Sequence, residues 1–325
     1  MSPQLRNYHQ WIEAEIKKQR YGVQPASLYD PITYLMGLGG KRLRPMLTLL
    51  SYALFARDVR SAVPLAVAVE AFHNFTLMHD DIMDQAPLRR GKATVHEKWN
   101  VNTAILSGDV MLVKVYGMLL QTETDKLRHV LTAFNKCASR VCEGQQWDMD
   151  FERRNDVSEA EYIKMIRLKT AVLLGFSLQF GGLLANASSE NQKALNDFGT
   201  NIGIGFQLKD DLLDAYADPG KFGKQVGGDI ISNKKTYLLI QALQKARGKM
   251  KTELNDWILA KKFNKKEKIE SVKHIYDKLE IPAITEKKID FFFRKGFRSL
   301  DVVSCDEAKK EMLRNYAEGL IGRQS

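Results

Sequence analysis

The chain is poor in cysteine and proline, and its most apolar stretch is short. Its 325 residues include eight prolines and three cysteines, and the cysteines form no CxxC pair and no even disulfide framework. Such cysteine usage is typical of a reducing compartment. The most apolar stretch, residues 172–187, falls short of the roughly 20 residues that a spanning helix needs. The N-terminal segment alternates in charge and lacks the apolar part of a signal peptide. These features predict a cytoplasmic protein without stable membrane insertion.

The chain also lacks the signatures of a nucleic-acid-binding protein, although its formal net charge is +10. Residues 245–325 hold 20 Lys and Arg against 13 Asp and Glu, so most of the basic excess lies near the C-terminus. The densest basic run, residues 261–266, is more typical of a solvated helix face than of a recognition surface. Neither zinc-finger spacing nor an RNP-like aromatic box accompanies it. We therefore expect no nucleic-acid partner.

Period-two alternation of apolar and polar residues, which marks strands, is nearly absent. Apolar residues instead recur every three or four positions in six long segments, which predicts helices. These segments are residues 65–83, 103–120, 127–147, 159–184, 194–216 and 236–243. Ser158, with Glu161 three positions later, matches the capping box that begins a helix. Because no repeat or flexible linker divides the chain, we predict one all-α domain over residues 1–325, built as a single large helical bundle.

Two DDxxD motifs end apolar helical segments, Asp80-Asp81-Ile82-Met83-Asp84 and Asp210-Asp211-Leu212-Leu213-Asp214. Helical residues four apart lie on one face, about 6 Å from each other, so each motif presents two neighbouring carboxylates. Such anions repel each other unless a cation lies between them. Carboxylate oxygens without nearby His or Cys favour Mg²⁺, which binds one or two carboxylates together with water and substrate phosphates. For one motif alone, a solvated acidic face would be the better interpretation.

Basic residues near both motifs favour a bound polyanion, such as a diphosphate held through metal ions. Arg89 and Arg90 follow the first motif, and the second is followed by Lys221, Lys224, Lys234 and Lys235. Residues 39–45, Gly-Gly-Lys-Arg-Leu-Arg-Pro, place three cations before an apolar helix, where they oppose the helix dipole unless an anion binds. Lys169, in an apolar segment, needs a partner if it is buried. His73, taken alone, is more typical of a core histidine.

Five blocks of the sequence occur in the order and spacing of a known family, at residues 39–45, 73–91, 169–170, 206–214 and 223–236. In these blocks the chain resembles the trans-type isoprenyl diphosphate synthases, short-chain branch. The resemblance implies an all-α fold of antiparallel helices around a deep central cavity, usually in a homodimer. It also implies Mg²⁺-dependent, head-to-tail condensation of isopentenyl diphosphate with an allylic diphosphate. Three Mg²⁺ ions per site are expected, and Mn²⁺ is expected to substitute for them.

The resemblance also assigns roles to individual residues. The positions for isopentenyl diphosphate are Lys41, Arg44, His73 and Arg90. The Mg²⁺ ligands are Asp80, Asp84 and Asp210, and the supporting carboxylates are Asp81, Asp211 and Asp214. The positions for the allylic diphosphate are Arg89, Lys169, Thr170, Gln207, Lys224 and Lys234, of which Lys169 and Gln207 join the aspartates as catalytic residues. The chain departs from the family at Lys92-Ala93, where a proline usually follows Arg-Arg-Gly, so the local turn is expected to differ.

The residues before the first motif predict the length of the product. Phe75 and Phe72 lie five and eight positions before Asp80, about 7.5 Å and 12 Å along the helix axis, on nearly the same face. In the family, an aromatic residue at the nearer position blocks elongation, whereas a small one permits longer products. With Thr76 after Phe75, residues 73–79 look most like the geranylgeranyl type. We expect a product of C15 to C20, with C20 slightly favoured, although both rings are also compatible with plain core packing.

Two other interpretations remain open. A terpene cyclase would share the fold and the first motif, but those lineages lack the Gly-Gly-Lys block and the second DDxxD in this form. An inactive regulatory subunit of a heteromeric synthase would be expected to have lost aspartates or lysines that this chain retains. Contact between the basic C-terminal region and an anionic membrane is a weaker hypothesis.

Overall fold

A computed structural model describes residues 2–217 and 226–321. Within these ranges the protein consists of α-helices joined by short connections, with one 3₁₀ turn, one π-helical turn and one two-stranded hairpin. The α-helices, numbered in chain order, are α1 Pro3–Lys18, α2 Ala26–Gly37, α3 Leu43–Phe55, α4 Val63–Met83, α5 Val95–Lys98, α6 Val101–Leu119, α7 Thr124–Glu152, α8 Glu159–Ile166, α9 Val172–Leu184, α10 Ser189–Tyr216, α11 Gly228–Ile231, α12 Tyr237–Lys245, α13 Gly248–Leu259, α14 Lys265–Lys278, α15 Ile281–Asp301 and α16 Glu307–Ile321.

The chain folds into two compact units, each assembled from three separate stretches of sequence. Unit 1 consists of Met1–Lys136, Phe176–Leu195 and Ser304–Leu313. Unit 2 consists of Cys137–Gly175, Asn196–Val303 and Arg314–Ser325. The first aspartate motif therefore falls in unit 1 and the second in unit 2.

Helix α4 is the central element of unit 1. It begins with Pro64 in its first turn, where the missing N–H has no helical partner to lose. Most of its side chains are buried, as expected for a helix that is apolar on nearly every face. Helices α1, α2, α3 and α6 pack against it. Together with the preceding 3₁₀ turn it forms Val59–Met83, the one helix in the described part of the chain that is long and apolar enough to span a membrane. However, 67% of its most apolar window is buried inside the protein, as in a core helix.

A short hairpin follows the first aspartate motif in unit 1. Its strands are β1, Leu88–Arg89, and β2, Lys92–Ala93, and Arg89 pairs with Lys92. The two turn residues, Arg90 and Gly91, have φ angles of 53° and 73°. Positive φ at both positions is the geometry of a type I′ turn, which matches the twist of the strands. The departure from the family pattern at Lys92-Ala93 is thus accommodated by a regular two-residue hairpin.

A π-helical turn, Arg167–Ala171, joins α8 to α9 and carries Lys169 and Thr170. Helix α8 begins with the predicted capping box, because the Ser158 hydroxyl caps the Glu161 amide and the Glu161 carboxylate accepts the Ser158 N–H. The predicted helical segment at residues 159–184 is thus helical throughout, but the π turn divides it into α8 and α9. Single π turns inside α-helices are frequent at functional sites.

One apolar core of unit 2 lies where the end of α10 meets α12, α13 and α14. Ala215, Leu239, Leu254 and Tyr276 are among its fully buried members. This core holds the second aspartate motif, on α10, next to the segment that connects α11 to α12. The predicted all-α class is confirmed, and the ends of the observed helices lie within five residues of the predicted ends. The central cavity that the resemblance implies stays a prediction.

Candidate active site

The loop before α3 in unit 1 has an unusual backbone. Gly39 and Gly40 have φ angles of 77° and 136°, and Arg42 is left-handed at 46°. The strained conformation of Arg42 is held by its side chain, which is only 2% exposed. Its guanidinium donates to Glu13 at 2.7 Å and to the buried Glu70 at 3.0 Å. The expectation that Arg42 belongs to a cationic cluster awaiting an anion is therefore wrong, because its charge is already neutralised by two carboxylates.

Arg90 reaches the same loop from the hairpin. Its Nη1 donates to the Gly39 carbonyl, and its guanidinium packs against the backbone of Gly40. A Cβ at residue 40 would lie 2.8 Å from the Arg90 Cζ and 2.9 Å from each terminal nitrogen. Glycine at position 40 is thus required for this guanidinium position. Lys41, between the two glycines and Arg42, is exposed.

His73 of α4 lies among these cations and is partly exposed. Burial by protein atoms and the positive charges of Arg44 and Arg90 hold the pKa of His73 well below its ordinary value of 6.5. A neutral imidazole is both a donor and an acceptor of hydrogen bonds. Of the four positions assigned to isopentenyl diphosphate, the structure therefore brings His73, Arg44 and Arg90 within electrostatic reach of one another.

The first aspartate motif has one buried and two accessible carboxylates. Asp81 is 1% exposed and accepts from Arg89 through Nε at 2.8 Å and Nη2 at 2.6 Å. Burial raises the pKa of Asp81, and the bonded guanidinium opposes that rise. Asp80, near the end of α4, is partly exposed, and Asp84, the C-cap residue of that helix, is exposed. Arg89 thus orients the central aspartate, and the outer two carry the accessible carboxylates.

The second motif, in unit 2, has the same pattern. Asp211 is 6% exposed, accepts from the Tyr162 hydroxyl, and accepts from Gln207 Nε2 at 3.1 Å. Gln207 in turn accepts from the Thr170 hydroxyl at 3.1 Å. Burial and the negative charge of Asp229 raise the pKa of Asp211 to about 7, although its hydrogen bonds oppose that rise. Asp210 is exposed.

Asp214 anchors the segment that follows. Its Oδ2 accepts from the Asp229 amide at 2.9 Å, and its carbonyl accepts from the Gly227 amide at 2.6 Å. These bonds tie the start of α11 to the last turns of α10, and the supporting role of Asp214 stays a prediction.

Two lysines of unit 2 share one carboxylate. Lys169 Nζ lies 2.6 Å from Asp148 Oδ2, and Lys234 Nζ lies 3.9 Å from the same oxygen. Burial would raise the pKa of Asp148, but Lys234 and Lys169 together hold it below its ordinary value. The ammonium groups are therefore ordered close together before any substrate arrives.

The donor set of both motifs suits a hard divalent ion. Each outer position offers a carboxylate oxygen, and neither motif includes a histidine or cysteine ligand. In the described ranges, no group of three or more His, Cys, Asp or Glu side chains is arranged to hold a metal by itself. Sparse protein ligation of this kind fits Mg²⁺, whose shell is completed by water and substrate phosphates.

Comparison with known proteins identifies the group to which these features belong. The polyprenyl synthetase family profile matches residues 25–278. The chain belongs to the polyprenyl synthetase family. A geranylgeranyl diphosphate synthase of Methanosarcina mazei is 41% identical over 244 residues, 74% of this chain and 75% of that one. A short chain isoprenyl diphosphate synthase of Methanocaldococcus jannaschii is 40% identical over 319 residues, 98% of this chain and 95% of that one. A crystal structure of a geranylgeranyl pyrophosphate synthase is 43% identical and superposes with a TM-score of 0.95 over the whole of both chains.

As a polyprenyl synthetase, the chain is a prenyltransferase of the trans-isoprenyl diphosphate synthase type, and its all-α fold is that of its structural neighbours. The predicted site residues divide between the two units. Unit 1 contains Lys41, Arg44, His73, Asp80, Asp81, Asp84, Arg89 and Arg90, whereas unit 2 contains Lys169, Thr170, Gln207, Asp210, Asp211, Asp214 and Lys234. Lys224 lies outside the described residues.

Sequence reasoning missed two residues that contact the predicted site residues, Asp148 beside Lys169 and Tyr162 beside Asp211. Asp148 lies one residue beyond the predicted end of the helix at Trp147, whereas α7 continues to Glu152. Asp148 could have been found from the sequence by searching for a carboxylate partner for Lys169, which lies in an apolar segment. Tyr162, which binds Asp211, lies two turns of helix before Thr170 in a segment that looked like plain apolar core, so only its hydroxyl set it apart.

Proposed function

We propose that this polyprenyl synthetase condenses isopentenyl diphosphate head-to-tail with an allylic diphosphate (dimethylallyl, geranyl or farnesyl). The product is a short-chain all-trans prenyl diphosphate, and inorganic diphosphate is released. The observation that carries the proposal is the shared design of the two motifs. Each has a buried central aspartate held by side-chain hydrogen bonds, at least one outer carboxylate that is more accessible, and ordered cations in the same unit.

The isopentenyl diphosphate is assigned to Lys41, Arg44, His73 and Arg90. Support comes from the loop at residues 39–42, whose glycines bring the Arg90 guanidinium against the backbone. A neutral His73 surrounded by guanidinium groups can accept or donate a hydrogen bond as the bound anion requires. Arg44 supplies a planar donor suited to phosphate oxygens.

The allylic diphosphate is assigned to Mg²⁺ ions and to cationic and polar side chains. Asp80, Asp84 and Asp210 would ligate the ions, and Asp81, Asp211 and Asp214 would hold those ligands in place. The remaining contacts are assigned to Arg89, Lys169, Thr170, Gln207, Lys224 and Lys234. Bound Mg²⁺ supplies positive charge that neutralises the leaving diphosphate.

The reaction breaks the allylic C–O bond, forms a new C–C bond and breaks one C–H bond. Lys169 and Lys234 stabilise the negative charge that develops on the diphosphate as the allylic C–O bond breaks and a carbocation forms. Arg44 and Arg90 hold isopentenyl diphosphate so that its double bond faces that cation and the new C–C bond forms. The proton lost from the resulting cation passes to the departed diphosphate.

Replacing Asp80 with Ala tests the assignment. Turnover is expected to fall by a factor of about 10³ or more at saturating Mg²⁺, because an ion that neutralises the leaving group is lost. Asp58→Ala is the matched control, since Asp58 is an exposed carboxylate in the same unit whose side chain makes no capping hydrogen bond. Unchanged turnover in Asp80→Ala would refute the proposed role, and retention of fold is checked by circular dichroism. A terpene cyclase would instead consume the allylic diphosphate without isopentenyl diphosphate, and an inactive subunit would consume neither.

We propose C20 as the main product, in preference to C15. The relatives named geranylgeranyl diphosphate synthase support this length. In unit 1, Phe75 is 8% exposed and Phe72 1% exposed, with ring centroids 5.7 Å apart. Phe72 is backed in turn by Phe134 at 5.0 Å, so the proposed floor is rigid. Thr76 turns its hydroxyl to the His73 carbonyl and adds little bulk.

Phe75→Ala tests the product length. We expect products longer by one five-carbon unit or more, because the deleted ring leaves a cavity large enough for further methylene groups. Phe55→Ala, at the end of α3, is the control for loss of a phenyl ring in the same unit. Unchanged chain length in Phe75→Ala would place the floor elsewhere.

We also propose a homodimer. Helix α6 has exposed apolar side chains on one side, with exposures of 41% for Ile105, 58% for Leu106 and 67% for Val113. Apolar residues that are contiguous and exposed are typical of interaction surfaces. Light scattering after gel filtration would show twice the 37.0 kDa chain mass, and Val113→Glu is expected to shift the protein towards monomer. A single functional domain over residues 1–325, a cytoplasmic location and no stable membrane insertion stay predictions, to be checked by truncation and cell fractionation.

A further inference from the structure

Lys268 of α14 is a buried cation with neutral partners. The residue is 1% exposed. Its Nζ donates to Asn233 Oδ1 at 2.7 Å and to the Ile231 carbonyl at 3.3 Å, and it lies 4.2 Å from the centroid of the Phe263 ring. Burial lowers the pKa of Lys268.

Burial of an ammonium group beside neutral partners is unfavourable for the stability of the fold. Removing a charge from water costs free energy that neutral acceptors restore only in part. A methionine would fill the same space beside Phe263 without that cost. The use of lysine therefore points to the groups that its Nζ holds.

Those groups belong to the turn that connects α11 to α12. Asn233 is left-handed, with a φ angle of 56°, and its side chain is fixed at both ends. Its Oδ1 accepts from Lys268, and its Nδ2 donates to the Ile258 carbonyl at the end of α13, at 3.0 Å. The turn is thus fastened to both α13 and α14.

Lys234 is the next residue in the chain. Its backbone N–H donates to the Asp229 carbonyl at 2.9 Å, and its Nζ lies 3.9 Å from Asp148. Asp229 is itself tied to Asp214 of the second motif. The turn is therefore held by Asp214 on one side and by Lys268 on the other, and Lys234 extends from its end.

We propose that Lys268 is a positioning residue that fixes the ammonium of Lys234 for the allylic diphosphate, without touching the substrate itself. This inference rests on the proposed function, because it takes the role of Lys234 from there. We call the hydrogen bonds from Lys268 to Asn233 and Ile231 the clamp. Without the clamp the turn is less constrained, so the Lys234 side chain samples several positions and binds the diphosphate less well.

Lys268→Met tests the clamp, with Lys266→Met as the matched control on the same helix. The Lys266 side chain is 86% exposed. In Lys268→Met the KM for the allylic diphosphate is expected to rise about tenfold, equivalent to about 1.4 kcal/mol, while the KM for isopentenyl diphosphate changes less than about twofold. Lys268→Arg keeps the charge and the donors, and is expected to restore most of the affinity.

A merely structural role would lower the melting temperature and leave the ratio of the two KM values at its wild-type value, and that result would overturn the proposal. If Lys268→Met fails to fold, Asn233→Gly gives the same test, because glycine accepts the left-handed backbone while the tether is lost. If the wild-type protein transfers no prenyl group, the proposed function is refuted separately. Calorimetric titration of inorganic diphosphate with Mg²⁺ into the wild type and Lys268→Met then decides whether Lys268 sets anion affinity, and equal affinities would overturn the inference.

Discussion

Gly40→Ala is predicted to weaken isopentenyl diphosphate binding by moving a side chain that the mutation does not alter. The new Cβ would lie 2.8 Å to 2.9 Å from three guanidinium atoms of Arg90, whereas ordinary contacts begin near 3.4 Å. The flexible guanidinium, rather than the backbone, is expected to give way, by about 0.5 Å to 1 Å. Such a shift takes a hydrogen bond from optimal length to beyond its useful range.

The expected magnitude follows from the kind of contact that is lost. A hydrogen bond to a charged group contributes about 1.5 to 3 kcal/mol, so the KM for isopentenyl diphosphate should rise about 10-fold to 150-fold. The KM for the allylic diphosphate should stay unchanged, because Arg90 is not among its contacts. The assay is steady-state kinetics with each substrate varied at saturating levels of the other.

Gly39→Ala is the matched control for Gly40→Ala. Gly39 also has positive φ, 77°, but no atom lies within 4 Å of its ideal Cβ. Both variants place an alanine at positive φ, which is strained for any residue with a Cβ, and only Gly40→Ala displaces Arg90. Adding Arg90→Ala to Gly40→Ala should cause little further loss, since both changes remove the same contact. Equal KM values in the two glycine variants would refute the reasoning.

Three further predictions concern unit 1. Arg42→Met should lower the free energy of unfolding, measured in urea, by about 3 to 5 kcal/mol, because it leaves the Glu70 carboxylate buried and uncompensated. Adding Glu70→Gln should recover part of that loss. Strictly additive losses in the double variant would contradict the account. The pKa of His73 is lower in the folded state than its ordinary value of 6.5. Above pH 6.5 the imidazole is neutral in both states, so the stability of the fold does not depend on its protonation. As the pH falls below 6.5, the unfolded chain takes up the proton first, and the free energy of unfolding therefore decreases. The His73→Gln variant should lack that loss in unfolding curves at pH 7.5 and 5.5, and NMR titration should show the pKa of His73 rising when isopentenyl diphosphate binds. His79, whose ring lies 4.8 Å from that of Phe75, braces the proposed floor, so His79→Ala should lengthen the product, and an unchanged product distribution would contradict the brace.

The helices could be predicted from the sequence because their signals are local. The capping box at Ser158 and the apolar periodicity before both motifs depend on residues within a few turns, and both were found where expected. The aspartate motifs were visible for the same reason, since carboxylates four residues apart share a helix face whatever the tertiary fold.

The partners of charged residues could not be predicted in this way, because they come from distant parts of the chain. Arg42 stood in a basic run that suggested an anion site, yet Glu70, 28 residues away, neutralises it in the core. Lys169 finds Asp148, 21 residues away, from another helix. The π turn at Lys169 is likewise set by packing rather than by composition.

The most direct test of the central claim is incubation of the purified protein with isopentenyl diphosphate, each allylic starter in turn, and Mg²⁺. Products are separated by chain length after removal of the diphosphate, and a parallel reaction contains a chelator. We predict release of one diphosphate per isopentenyl unit consumed, products that end mainly at C20, and no product in the presence of the chelator. Consumption of the allylic diphosphate without isopentenyl diphosphate, or no consumption of either, would contradict the proposed reaction.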